Sequence, residues 1–458
     1  MGVKPGSAAS CPKPLGPWAA SEIFKTAPAG YALEDVCVYT FSGGGPVSGG
    51  DLVSLQALVT SGDLLEVERD LMALGSSGSG VDETLWRPLA DYFLEQAGGG
   101  ELQTLLGRVP VRLAVLDTHP TAELYPLDRP ANSEHGRTLI AMAERLLCGG
   151  LSVSAADCVA QITSRLALPY VSYDANDPAG SVIDLQYGGY VGTLTDLAAA
   201  IQMEVADWER NAIPDQALVL NLSVGWNPDF GGLEADPANM SLPARLVFDA
   251  IADATCRGAV VVAATGNRNG GPDSGVGPML PAAWASRSLP EATRCDGAMP
   301  EIPPVPADTS WFETEHPPLL YAAGGIQGNG ATLSNSRPSS VPARVALGDH
   351  GVVTGPEIGT PTAILTGSSV SSLVVSAAAA AAWYYAPQVS PHQVMQAVDS
   401  SGEVLGLRAN FCHGPAPYCP MAEVGAQPED LTARVDGLHD LVGRDLGRVV
   451  PRGGGGGG

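Results

Sequence analysis

The sequence predicts an α/β protein with a doubly wound, mostly parallel sheet and helices on both faces. Unbroken apolar runs, namely VRLAVLD, ALVLNLSV and GAVVVAATGN, are typical of buried parallel strands. Segments with apolar residues three and four apart, such as HGRTLIAMAERLL, alternate with these runs along the chain. Strands that alternate with helices in this way imply a sheet covered by helices on each side.

The other elements of this region follow in chain order. We predict a strand in CVAQITSRLAL, a helix in GTLTDLAAAIQMEVADW that begins at a Thr, and a helix in SLPARLVFDAIADATCRG that Ser caps and Gly ends. LLYAAGG and ARVALG predict shorter strands. The small residues of SVSSLVVSAAAAAAWYY predict a helix packed on all sides, and SPHQVMQAVDSSG predicts one more helix.

Composition divides the 458 residues into four parts. Residues 1–30 are rich in Pro, Ala and Gly and are predicted to be a flexible arm. Residues 31–105 predict a small α+β segment, with a strand in ALEDVCVYTF and helices in LVSLQALV and ETLWRPLADYFLEQA. The α/β domain spans 106–425 with a Pro-rich insertion at 285–316, and 426–458 is a tail that ends in a flexible glycine run.

Charge and hydropathy argue against several partners. The chain has 24 Lys and Arg against 49 Asp and Glu, so its formal charge is −25 and it repels phosphate backbones and anionic lipid. We therefore expect no nucleic-acid and no membrane partner. The best candidate span, SLVVSAAAAAAWYYA, is too short and too rich in Ala to cross a bilayer. No signal-peptide pattern is visible, so the expected location is the cytoplasm, or outside the cell if the sequence lacks its signal.

Cysteines and glycines suggest no cofactor site. Eight cysteines are a low density for this length, and with no signal segment free thiols are expected. Cys412, His413 and Cys419 lie close together, but a zinc site needs a fourth ligand and tighter spacing, so a short disulfide or two thiols is favoured. Cys256 and Cys295 are expected to be structural. The loop SGGGPVSGG has neither the dinucleotide nor the P-loop spacing.

Polar residues stand at the carboxyl ends of the predicted strands, where ligands bind in such a sheet. Asp117 ends VRLAVLD, Asn267 follows GAVVVAAT, and His135 and Ser369 each begin a helix. A histidine can remove the proton of a serine nucleophile, and a buried carboxylate can orient that histidine. An amide can donate to an oxyanion. Each residue alone is more often a cap or turn residue, but together they contain the groups of a nucleophilic serine site.

The order Asp, His, Asn, Ser resembles that of the subtilisin-like serine proteases, or subtilases, over about residues 110–405. LAVLDT resembles the aspartate strand of that family, EHGRTLIAMA its His-Gly helix start, VVVAATGNRNG its Ala-Ala-Gly-Asn motif, and TGSSVSS its Gly-Thr-Ser-x-Ala motif. The resemblance implies that Asp117 orients His135, that His135 is the general base, that Asn267 donates to the oxyanion, and that Ser369 is the nucleophile.

The resemblance also implies a peptide-binding strand. LNLSVGW is similar to the family's substrate-binding strand, which implies that Ser223, Val224 and Gly225 lie beside a bound peptide. Gly189 is expected on the other side of that peptide, and Gly266 beside the pocket for its side chain. The implied function is an endopeptidase that hydrolyses peptide bonds in a polypeptide partner added as a β-strand. No cofactor is required for this chemistry.

Calcium is common in the family, so acidic loops were considered as metal sites. Asp174, Asp177 and Asp184 lie on one predicted loop, and calcium takes carboxylate oxygens. Their spacing is not that of an EF-hand, so a solvated acidic loop is the favoured interpretation. No metal site is therefore predicted.

The sequence departs from the family's pattern near the nucleophile and near the acid. Thr, Ala and Pro are usual where this chain has Ser368, Ser371 and Leu373. His119 stands two residues after Asp117 and is a second candidate for the base. It lies too close to the acid to reach Ser369, so His135, 18 residues after Asp117, is preferred. None of these departures removes a reacting group.

Two other functions stay open. A catalytically inactive subtilase that binds peptides or scaffolds a complex is favoured only by the altered nucleophile motif. An α/β-hydrolase esterase would need a Gly-x-Ser-x-Gly elbow and the order Ser, Asp, His, which the sequence lacks. Subtilases often carry an N-terminal propeptide that blocks the site. Residues 31–105 are therefore either such an intramolecular inhibitor or a regulatory or partner-binding domain.

Overall fold

The computed structural model describes residues 2–3, 10–13, 16–21, 35–42, 49–67, 72–75, 109–118, 135–148, 158–171, 190–211, 213–214, 216–234, 236–267, 277–287, 318–327, 331–333, 335–337, 344–349, 365–387, 389–401, 403–405 and 432–434. In chain order, strands β1 to β16 are Gly2–Val3, Trp18–Ser21, Val36–Phe41, Glu66–Val67, Met72–Gly75, Val111–Asp117, Ala160–Leu166, Tyr170–Val171, Tyr190–Thr193, Leu218–Leu222, Val224–Gly225, Val260–Ala264, Tyr321–Ile326, Arg344–Leu347, Glu403–Leu405 and Thr432–Arg434. Helices α1 to α6 are Gly49–Thr60, His135–Cys148, Leu194–Arg210, Leu242–Cys256, Ser368–Tyr385 and Pro391–Ser401.

The largest sheet has eight strands in the order β15-β16-β14-β13-β12-β10-β6-β7. Every neighbouring pair is parallel except β15 with β16. From β6 the chain moves outward to β7 and then returns to β10 on the other side of β6. Such a reversal leaves a crevice at the carboxyl ends of β6 and β10. The predicted mostly parallel, doubly wound sheet is confirmed.

Helices cover both faces of this sheet, as the alternating pattern predicts. One core packs α3 and α4 against the sheet through residues such as Leu197, Ile201 and Phe248. The other packs α2, α5 and α6, and includes Met142 and Val374. Helix α5 contacts β6, β10, β12, β13 and β14. Its small side chains allow that close approach, so the predicted all-round packing is confirmed.

The capping residue predicted for the start of α3 makes its capping bonds, whereas the one predicted for α4 does not. Thr193 caps α3, and its side chain and that of Asp196 form a capping box. Ser241 occupies the N-cap position of α4, but its hydroxyl makes no capping bond. Gly258 follows the end of α4 with φ +92°, a conformation that favours glycine.

The N-terminal unit, which we define as β1 to β4 with α1, is a four-stranded antiparallel sheet in the order β2-β3-β1-β4. Its core contains Cys37, Tyr39, Leu55 and Leu64. The predicted flexible arm at 1–30 is wrong in part, because β1 and β2 lie within it and pair with β3. Strands of two and four residues are too short to produce a recognisable periodic pattern.

Disulfide bonds correct the expectation of free thiols. Cys11 and Cys37 are joined at an S–S distance of 2.05 Å, and Cys148 is joined to Cys158. Cys256 is also disulfide-bonded. The first bond ties the amino-terminal segment to β3, and the second ties the end of α2 to the residues before β7. The prediction rested on the low density of cysteines, and that density does not indicate which cysteines lie close together in the folded chain.

The predicted tail at 426–458 also needs correction. Strand β16 lies within it and pairs with β14 and β15. Other predictions lie outside the described residues: the helix in ETLWRPLADYFLEQA, residues 288–316 of the insertion, the three aspartates of the acidic loop, Cys295, and the cluster of Cys412, His413 and Cys419. None of the described helices is long and apolar enough to cross a bilayer.

Candidate active site

The crevice at the end of β6 holds a buried carboxylate and a buried imidazole. Asp117 is the last residue of β6, and its Oδ1 lies 2.7 Å from Nδ1 of His135, the first residue of α2. The same Oδ1 accepts the Thr118 backbone N–H at 2.7 Å. Thr118 Oγ1 accepts the Gly136 backbone N–H at 3.0 Å. These bonds fix the start of α2 against the end of β6, so the predicted pair of acid and base is in contact.

The contact with Asp117 determines which nitrogen of His135 can accept a proton. An ionised carboxylate only accepts hydrogen bonds, so Nδ1 is the nitrogen that carries the proton in the neutral ring. Nε2 of His135 is buried and has no hydrogen-bond partner among the described residues. An unpaired polar atom in a protein interior costs about 1–3 kcal/mol. A buried basic nitrogen kept without a partner is therefore a candidate for a chemical role.

Ser369 is the second residue of α5 and is fully buried. Its hydroxyl donates to the backbone carbonyl of Ser223 at 3.2 Å. It makes no hydrogen bond to Nε2 of His135, so the serine–histidine contact of the predicted triad is absent. Catalytic hydrogen bonds of this kind are often long or misaligned before substrate binds. Because Ser369 lies in the first turn of α5, its backbone N–H has no acceptor within the helix.

Asn267 is held by the residue that precedes the serine. The Asn267 side-chain oxygen accepts the Ser368 backbone N–H at 3.0 Å and lies 3.3 Å from the Ser368 hydroxyl. That hydroxyl accepts the Gly266 backbone N–H at 3.0 Å. Because its oxygen is turned to Ser368, the amide nitrogen of Asn267 lies on the opposite branch of the side chain. Serine in place of the family's threonine keeps the hydroxyl that makes these contacts.

A buried network of hydroxyl groups lies beneath Ser369. Ser223 Oγ donates toward the Ser369 carbonyl at 3.1 Å and lies 3.0 Å from Ser372 Oγ. The Asn221 amide nitrogen donates to the hydroxyls of Ser372 and Ser376 at 3.3 and 3.2 Å. The sequence analysis predicted a role for Ser223 on this strand but missed Ser372 and Ser376. The available signal was a pair of serines four residues apart in an alanine-rich helix.

A buried ion network holds β6 in place. Glu204 of α3 is fully buried and accepts from Arg112 of β6 and Arg165 of β7, each through Nε at 2.7 Å. Arg165 also pairs with Asp207. A buried carboxylate costs free energy unless it is paired in this way. The network therefore holds β6, which ends at Asp117, together with the neighbouring β7.

Two of the predicted peptide-binding residues, Val224 and Gly225, form a strand that pairs with another segment of the chain. We define the peptide cleft as the space between β9 and β11. Strand β5 lies in it and is antiparallel to both neighbours. Val224 of β11 is opposite Gly75, and Gly192 of β9 is opposite Ala73. Ser223 precedes β11 and Gly266 follows β12, whereas Gly189 and His119 lie outside the described residues.

A comparison with models of protein families tests the predicted membership of the subtilases. The family model described as the subtilase family matches residues 187–414. The predicted family is confirmed: residues 187–414 belong to the subtilases. The matched range contains Asn267 and Ser369, and Asp117 and His135 precede it. This subtilase region therefore holds the proposed nucleophile and oxyanion donor, while β6 and α2 bring the proposed acid and base to it.

Two solved structures are similar to this chain. One, described as the structural basis of subtilase cytotoxin SubAB assembly, has 14% sequence identity, covers 78% of this chain and 97% of its own, and has a TM-score of 0.43. MycP1 from Mycobacterium smegmatis has 18% identity, covers 79% of this chain and 94% of its own, and has a TM-score of 0.41. No curated protein matches the chain. The family assignment rests on the sequence match alone.

Proposed function

We propose that this subtilase is a serine endopeptidase in which Asp117, His135 and Ser369 act as the catalytic triad. The observation that supports this most directly is the buried hydrogen bond of 2.7 Å between Asp117 and His135, which leaves Nε2 as the acceptor. A buried pair of this kind at the crevice of a doubly wound sheet has the geometry of an acid that orients a general base. A purely structural histidine would be expected to use both ring nitrogens.

In the proposed mechanism, Ser369 Oγ attacks the carbonyl carbon of the scissile peptide bond while His135 Nε2 takes its proton. Asp117 stabilises the imidazolium that forms. The side-chain amide of Asn267 and the backbone N–H of Ser369 donate to the oxyanion, a contribution of about 3–4 kcal/mol for one such donor. His135 then protonates the leaving amine, the C–N bond breaks, and water hydrolyses the acyl-enzyme. Every step uses the chain's own groups, so no cofactor is required.

The proposed substrate is a polypeptide that binds as an extended strand. The edges of β9 and β11 accept a strand between them, as β5 demonstrates in this chain. Main-chain hydrogen bonds would supply affinity, and pockets for alternate side chains would supply selectivity. The residues expected to border the peptide are Ser223, Val224 and Gly225 on one side and the glycine-containing segment up to Gly192 on the other.

We also propose that the N-terminal unit and β5 inhibit the enzyme intramolecularly. Strand β5 fills the peptide cleft, and the Ser369 hydroxyl is fully buried and donates to a carbonyl group rather than to a base. The N-terminal unit also contacts the α3–α4 face: Glu66 pairs with Arg245 of α4, and Val36 belongs to the core on that face. In this proposal the chain is latent until β5 leaves the cleft.

A second candidate function is peptide binding without catalysis. The contact between the Ser369 hydroxyl and the Ser223 carbonyl favours it, because the serine proton is not shared with His135. On this alternative the cleft would still bind strands, but no acyl-enzyme would form. The two functions are separated by whether Ser369 reacts once β5 has been removed.

We propose an oxidising compartment for the mature protein, in place of the cytoplasm expected from the sequence. The disulfides Cys11–Cys37 and Cys148–Cys158 support this, because such bonds persist in secreted and cell-surface proteins and are rare in the cytosol. Fractionation of the native host with a thiol-alkylation assay would test the location. Recovery of all cysteines as free thiols would contradict it.

The proposed activity is tested by peptide hydrolysis after limited proteolysis of the folded full-length chain. Activity should rise when the segment around β5 is cut, and Ser369→Ala and His135→Ala should abolish it. Ser371→Ala is the matched control, because Ser371 lies on the same helix, its hydroxyl donates to the Ala346 carbonyl, and it stands where the family has alanine. Activity that survives Ser369→Ala would overturn the proposal. No hydrolysis by trimmed, folded protein that still binds peptides would support the second candidate.

A further inference from the structure

Asn221 places an amide in the apolar interface between the central sheet and α5. It is the fourth residue of β10 and is fully buried. Leu220 and Leu222 belong to the core on the α3–α4 face, whereas Val219 belongs to the core that contains α5. Since side chains alternate along a strand, Asn221 lies with Val219 on the side of α5. A hydrogen-bonding group therefore stands where its neighbour on the same face is a valine.

Both the nitrogen and the oxygen of this amide have partners. The nitrogen donates to the hydroxyls of Ser372 and Ser376 at 3.3 and 3.2 Å, and the oxygen accepts from the Ser223 hydroxyl at 2.9 Å. The two α5 hydroxyls use their own protons on helix carbonyls. Ser372 donates to the Ser369 carbonyl at 2.9 Å, and Ser376 donates to the Ser372 carbonyl at 2.7 Å. Each can then only accept from the amide, which fixes the orientation of Asn221.

The apolar contacts of α5 constrain its register on the sheet only weakly. Residues 377–382 are six consecutive alanines, and apolar burial is non-directional. Hydrogen bonds, in contrast, are lost beyond about 3.5 Å. A slide of the helix by one residue, about 1.5 Å along its axis, would therefore break its bonds to Asn221. Such a shift matters at Ser369, because a misplacement of about 1 Å can lower a rate about a hundredfold.

We infer that Asn221 is a positioning residue whose amide sets the register of α5 against β10 and so places Ser369 for reaction with His135. The inference rests on the proposed function and extends it to a residue that touches no reacting atom. Stability alone does not require the amide, because buried polar groups can be replaced by apolar groups of similar shape at little cost. The amide adds contacts that form in a single register, as a buried asparagine does in coiled coils.

The test compares Asn221→Leu with Val219→Ala in the full-length chain after limited proteolysis. Leucine keeps the branched shape of asparagine, and the Ser223 hydroxyl keeps an acceptor because it lies 3.1 Å from the Ser369 carbonyl. Asn221→Leu should retain the native thermal transition but lower kcat for peptide hydrolysis by at least about tenfold, with KM within about twofold because the cleft is unchanged. Val219→Ala, the matched control, should lower the thermal transition and retain kcat.

The outcomes separate this inference from the proposed function. If the trimmed native chain hydrolyses peptides and Asn221→Leu has the same kcat, the inference is wrong and the protease remains. A kcat that falls only together with the thermal transition would show a purely structural role and would also overturn the inference. If the trimmed, folded native chain is inactive and takes up no fluorophosphonate probe, both fail.

A second variant decides the question if Asn221→Leu does not fold. Ser372→Ala keeps the amide but removes the hydroxyl that links it to the Ser369 carbonyl. Its kcat should fall several-fold while KM is retained, because the first turn of α5 loses this constraint. A kcat equal to that of the native chain would contradict the inference.

Discussion

Ser368, the residue before the proposed nucleophile, contacts the side chain of the proposed oxyanion donor Asn267 through both its backbone N–H and its hydroxyl. That hydroxyl accepts the Gly266 N–H at 3.0 Å and lies 3.3 Å from the Asn267 side-chain oxygen. A buried group that loses its partner costs about 1–3 kcal/mol. The orientation of Asn267 should therefore depend on Ser368 even though Ser368 touches no reacting atom.

Ser368→Ala should lower the rate of probe labelling at Ser369 by about tenfold or more in the trimmed chain, because Asn267 keeps only the backbone contact to Ser368 and is oriented less firmly. Ser368→Thr, which keeps the hydroxyl, should retain the native rate. The labelling rate measured against probe concentration separates a slower chemical step from weaker probe binding. Equal rates for the Ala variant and the native chain would show that Asn267 needs no support from this hydroxyl.

The residues of the proposed site were predictable from the sequence because they stand at the ends of strongly patterned strands. Asp117 and Asn267 follow unbroken apolar runs, and parallel strands bring such ends to one edge of the sheet. The rotamer of Ser369 and its bond to the Ser223 carbonyl were not predictable, because a hydroxyl chooses its acceptor from its three-dimensional surroundings. The same limit applies to Ser372 and Ser376.

Strand β5 is the element on which the proposed latency depends. It is the central strand between β9 and β11, so each interior backbone N–H faces one neighbour or the other. Nothing in MALG suggests a strand, since it has four residues and no β-branched side chain. The pairing is supplied by the edges of β9 and β11, which lie more than a hundred residues away in the sequence.

Leu74→Pro should release the cleft. Leu74 is opposite both Gly225 and Val191, and proline removes its N–H from the ladder. The untrimmed variant should be labelled by a fluorophosphonate probe several-fold faster than the untrimmed native chain. Leu74→Ala keeps the N–H and is the matched control for loss of the side chain. Equal labelling of the proline variant and the native chain would mean that β5 does not restrict access.

The stability of the N-terminal unit should fall at alkaline pH because of Tyr39. Burial, with a smaller contribution from the charge of Asp63, raises the pKa of Tyr39 from 10.0 to about 12. The unfolded chain therefore loses this proton at lower pH than the folded unit does. Between the pKa of the unfolded chain and that of the folded unit, Tyr39 keeps its proton only in the folded unit. The free energy of unfolding of the N-terminal unit therefore decreases as pH rises through this range.

Thermal melts of the native chain and Tyr39→Phe across this alkaline range would check that prediction. The native N-terminal unit should lose stability more steeply than the variant, while the variant should be less stable at neutral pH because it lacks the bond of 3.0 Å to the Pro12 carbonyl. Parallel pH profiles for the two proteins would contradict the shifted pKa of Tyr39.

On the scale of the whole molecule, two of the disulfides join segments with no clear sequence pattern to elements with a strong one. Cys11–Cys37 joins the amino-terminal residues to β3 across 26 residues, and Cys148–Cys158 joins α2 to the region before β7. The central sheet was predictable because each of its main strands has its own apolar run. The disulfides and the short edge strands were not, since they depend on contacts between distant residues.

Removal of the Cys11–Cys37 disulfide should lower the stability of the N-terminal unit. For a loop of 26 residues the lost constraint is worth about 3–4 kcal/mol of stability. In the Cys11→Ala, Cys37→Ala double variant, amide hydrogens of β1 to β3 should exchange faster, while those of β10 and β12 keep their protection. Hydrogen exchange with mass spectrometry resolves the two regions. Unchanged exchange in β1 to β3 would show that packing alone holds the unit.

The central claim is that Ser369 is an activated nucleophile covered by the chain's own β5. The most direct test is fluorophosphonate labelling of the full-length protein before and after limited proteolysis, with the adduct mapped by mass spectrometry. We predict weak labelling before trimming, strong labelling at Ser369 afterwards, and none in Ser369→Ala or His135→Ala. Trimmed protein that keeps its thermal transition and peptide binding but takes up no probe would contradict the claim and identify a binding protein instead.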